Sequence, residues 1–158
     1  LIPVEFQGCY SDLVDVGSYL VSMMAILDKS LPIAPCGMNC HICRAYLRKR
    51  NKCPGCRGED TNKPVTRVEC KIKNCSFLQK MEINYCFECE NFPCNNLNKL
   101  DSRYLTRYNM SVIENLKSIN EIGINEFLVN EGSRWACSHC GCVICVHNGC
   151  CHICGKKK

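Results

Sequence analysis

The sequence offers no segment suited to crossing a membrane and no recognisable secretory leader. Its apolar run from Tyr19 to Leu27 is too short to span a bilayer. Asp12 and Asp15 precede that run where a leader carries Lys or Arg, and no small-residue cleavage site follows. A cytoplasmic chain without a membrane role is therefore expected. Neither a nucleophile-elbow glycine pattern nor a phosphate-binding loop occurs. The strand-helix-strand setting of a thiol–disulfide oxidoreductase is also missing. A non-enzymatic protein is expected, and 158 residues allow one compact domain or two small ones.

What the chain has in excess is cysteine, 18 in 158 residues, above the level of an ordinary globular protein. Spacing separates a disulfide framework from thiolate metal ligands. Six pairs read C-x-x-C: Cys40/Cys43, Cys53/Cys56, Cys86/Cys89, Cys137/Cys140, Cys142/Cys145 and Cys151/Cys154. Two thiolates three residues apart in a tight turn bind one tetrahedral ion at about 2.3 Å each, the half-site of structural zinc. Six such halves point to metal.

The formal charge of +5 counts every cysteine as neutral. A zinc ion held by four thiolates carries a net charge of about −2, so three such sites cancel the excess. Residues 35–75 concentrate the positive charge, with ten Lys/Arg against three Asp/Glu. Thiolate compensation is their expected role. RNA contact through Arg44, Arg48, Lys49, Arg50 and Lys52 with Tyr46 and the tail Lys156 to Lys158 is the less favoured one.

Four stretches follow. Residues 1–33 hold a single cysteine, Cys9, and read as a helical segment, with an amphipathic helix from Asp12 to Lys29. Residues 34–97 are a turn-rich cysteine block with two short helices, Ile42 to Arg50 and Ser76 to Ile83. Residues 98–134 form a helical connector without cysteine. One helix carries Leu97, Leu100, Tyr104, Leu105 and Tyr108; a second starts at Ser111 with Glu114 completing a capping box; Gly123 interrupts, and a third runs from Asn125 to a stop at Gly132. Residues 135–158 return to cysteine. The fold class expected is a small, irregular, metal-stabilised α+β protein.

The most specific pattern is Cys137-x-x-Cys140-Gly141 and Cys151-x-x-Cys154-Gly155, two C-x-x-C-G turns that together spell a zinc ribbon. Glycine after the second cysteine lets backbone amides turn toward the sulfurs. Between them, Cys142, Cys145, His147 and Cys150 either bind a second ion, substitute for an outer ligand, or stay as structural thiols beside a histidine. In the first block Cys53-Pro-Gly-Cys56 is a half-site whose partners come from Cys36, Cys40 and Cys43. Cys70, Cys75, Cys86, Cys89 and Cys94 form the remaining group. Ten cysteines exceed the eight that two four-thiolate sites need, so the pairing is left open. Cys36-x3-Cys40-x2-Cys43 also has the spacing of radical [4Fe–4S] enzymes, but the alternating strands and helices of that fold are missing. A non-catalytic iron–sulfur centre remains the alternative to two or three zinc ions.

Together these residues resemble the cysteine-rich prokaryotic domain of unknown function 3795. The resemblance is carried by Ala34-Pro35-Cys36-Gly37-Met38-Asn39-Cys40 with Cys43, Ala45 and Tyr46, then Cys53-Pro-Gly-Cys56, Cys70, Cys75, and Cys86-x2-Cys89 running into Phe92-Pro93-Cys94 and Leu97. Arg134-Trp135-x-Cys137-x2-Cys140-Gly141, Cys145-Val146-His147 and Cys151-x2-Cys154-Gly155 resemble the ribbon that many members append. Membership implies zinc binding and no established activity. The expected function is a structural zinc protein acting as an interaction or adaptor module for a protein partner.

Overall fold

The computed structural model describes residues 32–158. The helix expected from Asp12 to Lys29 lies outside them. The described chain is an irregular α+β fold of short helices with one two-stranded sheet, as the composition implied.

Helices in the first cysteine block are single turns: α1 (Arg44–Leu47), α2 (Val65–Val68) and α3 (Ser76–Lys80), with 3-10 turns at Cys40–Ile42 and Cys86–Glu88. The continuous helix expected from Ile42 to Arg50 is broken for a visible reason. Cys43 is extended (φ −84°, ψ 131°), and the Ile42 carbonyl accepts the Val146 amide at 2.9 Å instead of an amide one turn on. Arg48, also extended, ends α1 and donates to the Asn51 carbonyl at 2.6 Å. Lys63 is a buried amine that gathers the loop around it, donating to the Cys56 carbonyl (3.2 Å) and Asp60 (2.9 Å).

Three longer helices follow in the cysteine-free stretch: α4 (Asn95–Tyr108), α5 (Val112–Ile122) and α6 (Ile124–Arg134). Ser111 caps α5 as its sequence indicates, accepting the Glu114 amide at 3.0 Å. The Glu114 carboxylate does not complete the expected box and pairs instead with Lys117 (2.8 Å). Asp101, buried on α4, accepts both the Ser111 hydroxyl (2.7 Å) and the Ile113 amide (3.0 Å), which ties α4 to the start of α5. Gly123 (φ 80°) separates α5 from α6 as expected, whereas Gly132 does not stop α6, which continues to Arg134. Replacing Asp101 by Ala leaves two donors without their acceptor and is expected to lower stability in urea denaturation by about 2 kcal/mol. Unchanged midpoints would show that the α4–α5 junction does not depend on this carboxylate.

One core joins all the parts. Ile33, Leu97, Met110, Val112 and Leu116 are fully buried, and Trp135, Ile144 and Val146 belong to the same cluster. Two buried polar groups bolt the blocks together. Asn115 Nδ2 donates to the Gly37 carbonyl at 3.0 Å. Glu131 accepts the Trp135 indole N–H (3.2 Å) and Asn39 Nδ2 (3.4 Å). The chain ends in β1 (Ile144–Cys145) paired antiparallel with β2 (Cys150–Cys151). Among the described residues no helix is long and apolar enough to cross a membrane.

Candidate metal centres

The ribbon is built from two copies of one turn. In each, the glycine amide donates back to the carbonyl of the first cysteine: Gly141 to Cys137 (2.8 Å) and Gly155 to Cys151 (3.0 Å). The amide of that first cysteine then donates to the residue after the glycine: Cys137 to the Cys142 carbonyl and Cys151 to the Lys156 carbonyl, both 2.8 Å. Both glycines need positive φ (71° and 74°), a region in which a side chain is strained. The twin turns face each other and bring Cys137, Cys140, Cys151 and Cys154 Sγ within 4.8 Å of one another. Three of the separations are 3.5, 3.5 and 3.7 Å. A tetrahedron with metal–sulfur bonds of about 2.3 Å has edges of about 3.8 Å, so the four sulfurs already stand at ligand spacing.

Backbone amides aim at these sulfurs. Cys137 is lowered by hydrogen bonds from the His139 and Cys140 amides. Desolvation works against the Cys151 thiolate, but the amides of Cys154 and Ile153 with the sulfurs of Cys140 and Cys154 bring it down to about 6. Cys140 has the Cys142 amide in its favour and is nonetheless pushed up to about 12 by desolvation and by its three sulfur neighbours. Four sulfurs this close cannot all ionise without a cation among them. A divalent metal ion held among them would supply that charge.

Cys145 and His147 are not part of this group. Cys145 is buried in β1. His147 Nδ1 accepts the Arg44 amide at 3.3 Å, so the neutral ring carries its proton on Nε2, which lies 3.1 Å from the Tyr104 hydroxyl. Cys142 is disulfide-bonded, and Cys150 keeps a free thiol. The tail forms part of the ribbon: Lys157 bridges to Cys150, the Lys158 amide donates to the Gly149 carbonyl at 2.8 Å, and Lys158 Nζ sits 3.7 Å over the Trp135 ring.

In the first block Cys36, Cys40 and Cys43 all feel the charge of Cys56. Contact with the Cys56 sulfur raises Cys40 strongly, and the same contact outweighs burial to lower Cys56 to about 7, helped by Arg67, Lys63 and Lys73. The Cys56 amide also donates to Cys40 Sγ at 3.4 Å. Burial raises Cys36 and Cys43, with Met38, and with Ala45 and Tyr46, directing amides at the respective sulfurs. The Cys53-Pro-Gly-Cys56 turn lies against Cys40: a Cβ added at Gly55 would stand 3.9 Å from Cys40 Sγ. Of the ten basic residues between 35 and 75, Arg67, Lys63 and Lys73 act on these thiols.

A second arrangement lies beside α3. Cys75, Cys86, Cys89 and Cys94 line a cavity of about 30 Å³ whose other walls include Phe77, Leu78, Phe92 and Leu97. That is about twice the ~15 Å³ a single water-sized sphere requires. Burial and then the charges of Cys94 and Cys75 push Cys86 up to about 12. Cys70, expected with this group, is not on the cavity wall, and its charge is felt by both Cys36 and Cys86. Among the described residues only the ribbon sulfurs approach within 4.8 Å as a group.

Residues 32–99 match the family described as "Protein of unknown function (DUF3795)". The resemblance carried by the motifs from Ala34 to Leu97 is borne out over that stretch, while the ribbon lies beyond it. No curated protein and no solved structure matches the chain.

Proposed function

We propose that the protein is a non-enzymatic zinc protein of the cytoplasm, in which two or three zinc ions replace part of the hydrophobic core and the cysteine-rich surface receives a protein partner. The supporting observation is the ribbon geometry: four thiols from twin turns, at ligand spacing, with amides directed at the sulfurs. Four protein thiolates fill a zinc tetrahedron and leave no position for water or substrate, the mark of a structural site. Cys36, Cys40, Cys43, Cys53 and Cys56 supply more than enough donors for a second ion. Cys75, Cys86, Cys89 and Cys94 supply a third set, and the size of their cavity suits one ion better than a four-iron cluster. Sixteen of the seventeen described cysteines carry free thiols, in keeping with a reducing compartment. Val65, Phe77 and Met81 are exposed apolar side chains on the first block, which suits contact with a partner.

Elemental analysis of protein purified without oxygen tests this directly. Zinc at two or three equivalents is expected, falling by one equivalent in Cys154→Ser. Iron with acid-labile sulfide, or protein free of metal, would overturn the reading.

A further inference from the structure

A concave pocket of about 290 Å³ lies where α1, α2 and the ribbon meet. Three arginines line it, Arg44 from α1, Arg48 from its C-terminal end and Arg67 from α2, together with Cys43, Thr66 and His147. Among the described residues, the ion pairs are those of Asp60 with Lys63 and Lys73, Glu114 with Lys117, and Glu131 with Arg134, so no carboxylate pairs with any of the three. The Arg48 guanidinium is held in place by the carbonyls of Asn51 (2.6 Å) and Asn62 (3.3 Å). His147 is fixed at both ring nitrogens, by the Arg44 amide and the Tyr104 hydroxyl. Three arginines lining one pocket, one of them held in place and none with a carboxylate partner among the described residues, suit a planar-fork grip on a tetrahedral oxyanion.

We propose that this pocket binds the phosphoryl group of a small molecule, with Arg44 and Arg48 as its principal donors. Arg67 has a second duty, because its charge also reaches Cys43, Cys56 and Cys70. The volume lies just below the range of sites for drug-sized ligands, about 300–1,000 Å³, which suits a smaller one. A nucleic-acid strand needs free aromatic faces on which bases stack, and the nearby rings are taken. Lys52 Nζ covers Tyr46 at 4.6 Å, His41 packs on the same ring, and Tyr104 and Tyr108 pack edgewise on His147.

Isothermal titration calorimetry of the full chain, as purified, with inorganic phosphate and with glycerol phosphate tests the assignment. Saturable one-to-one binding is expected, weakened at least about tenfold in the Arg44→Gln/Arg48→Gln double variant while metal content and circular dichroism stay unchanged. Tighter binding of the ester identifies a phosphorylated metabolite as the ligand, and equal binding identifies the free anion. If the double variant folds poorly, Arg44→Gln alone gives the same comparison. Absence of saturable binding to either probe would overturn the proposal, as would undiminished binding in the variants. Binding of a short single-stranded RNA that neither small phosphate can displace would do the same.

Discussion

Removal of metal by a strong thiolate-competing chelator is expected to unfold the ribbon and to move the emission of Trp135 to longer wavelength, with loss of its near-ultraviolet circular dichroism. Trp135 is the single tryptophan of the chain, 4 % exposed, two residues before the first ribbon cysteine. Its surroundings depend on the ribbon's closure. The Ile144 amide donates to its carbonyl at 2.8 Å and Lys158 covers its ring. Structural zinc contributes about 10–16 kcal/mol of folding free energy at neutral pH, whereas a whole domain is stable by only about 5–15 kcal/mol. A loss of that size is comparable to the whole stability of a domain, so the ribbon is expected to open. β1 and β2, two residues each, have little stability of their own. Emission and dichroism unchanged after complete chelation would remove metal from the account of stability.

Replacement of Gly37 by Ala is expected to cost about 3 kcal/mol, roughly 10 °C in Tm. Two independent penalties combine. Gly37 holds φ 83°, and an added Cβ would lie 2.5 Å from the Val112 carbonyl oxygen and 2.8 Å from Leu116 Cγ. Neither neighbour has room to yield, since Val112 and Leu116 are fully buried and the Gly37 carbonyl is itself tied to Asn115. Gly132→Ala is the control. Gly132 lies inside α6 with nothing within 4 Å of its Cβ position, so alanine there is expected to stabilise by up to about 1 kcal/mol. Equal Tm values for the two variants would show that the first block is not seated against α5.

Periodicity made the three long helices legible, because α4, α5 and α6 each bury a stripe and are punctuated by Ser111 and Gly123. The C-terminal sulfur cluster was legible for a different reason: its four cysteines come in two C-x-x-C pairs, each followed by its own glycine. The first block was not, since its ten cysteines admit many pairings and its helices of four or five residues are too short to show a period. The buried polar ties escaped as well. Asp101, Asn115 and Glu131 are ordinary hydrophilic residues in helical sequence, and nothing local marks the partners they meet, the last of them 92 residues away at Asn39.

The hydrogen bond from Val146 to Ile42 sets an order of events during synthesis. Residues 32–94 are synthesised before Val146. Until it arrives, the Ile42 carbonyl lacks the partner it has in the folded chain. The seat of Ile42 in the cysteine block is thus completed only by a stretch of chain made about a hundred residues later.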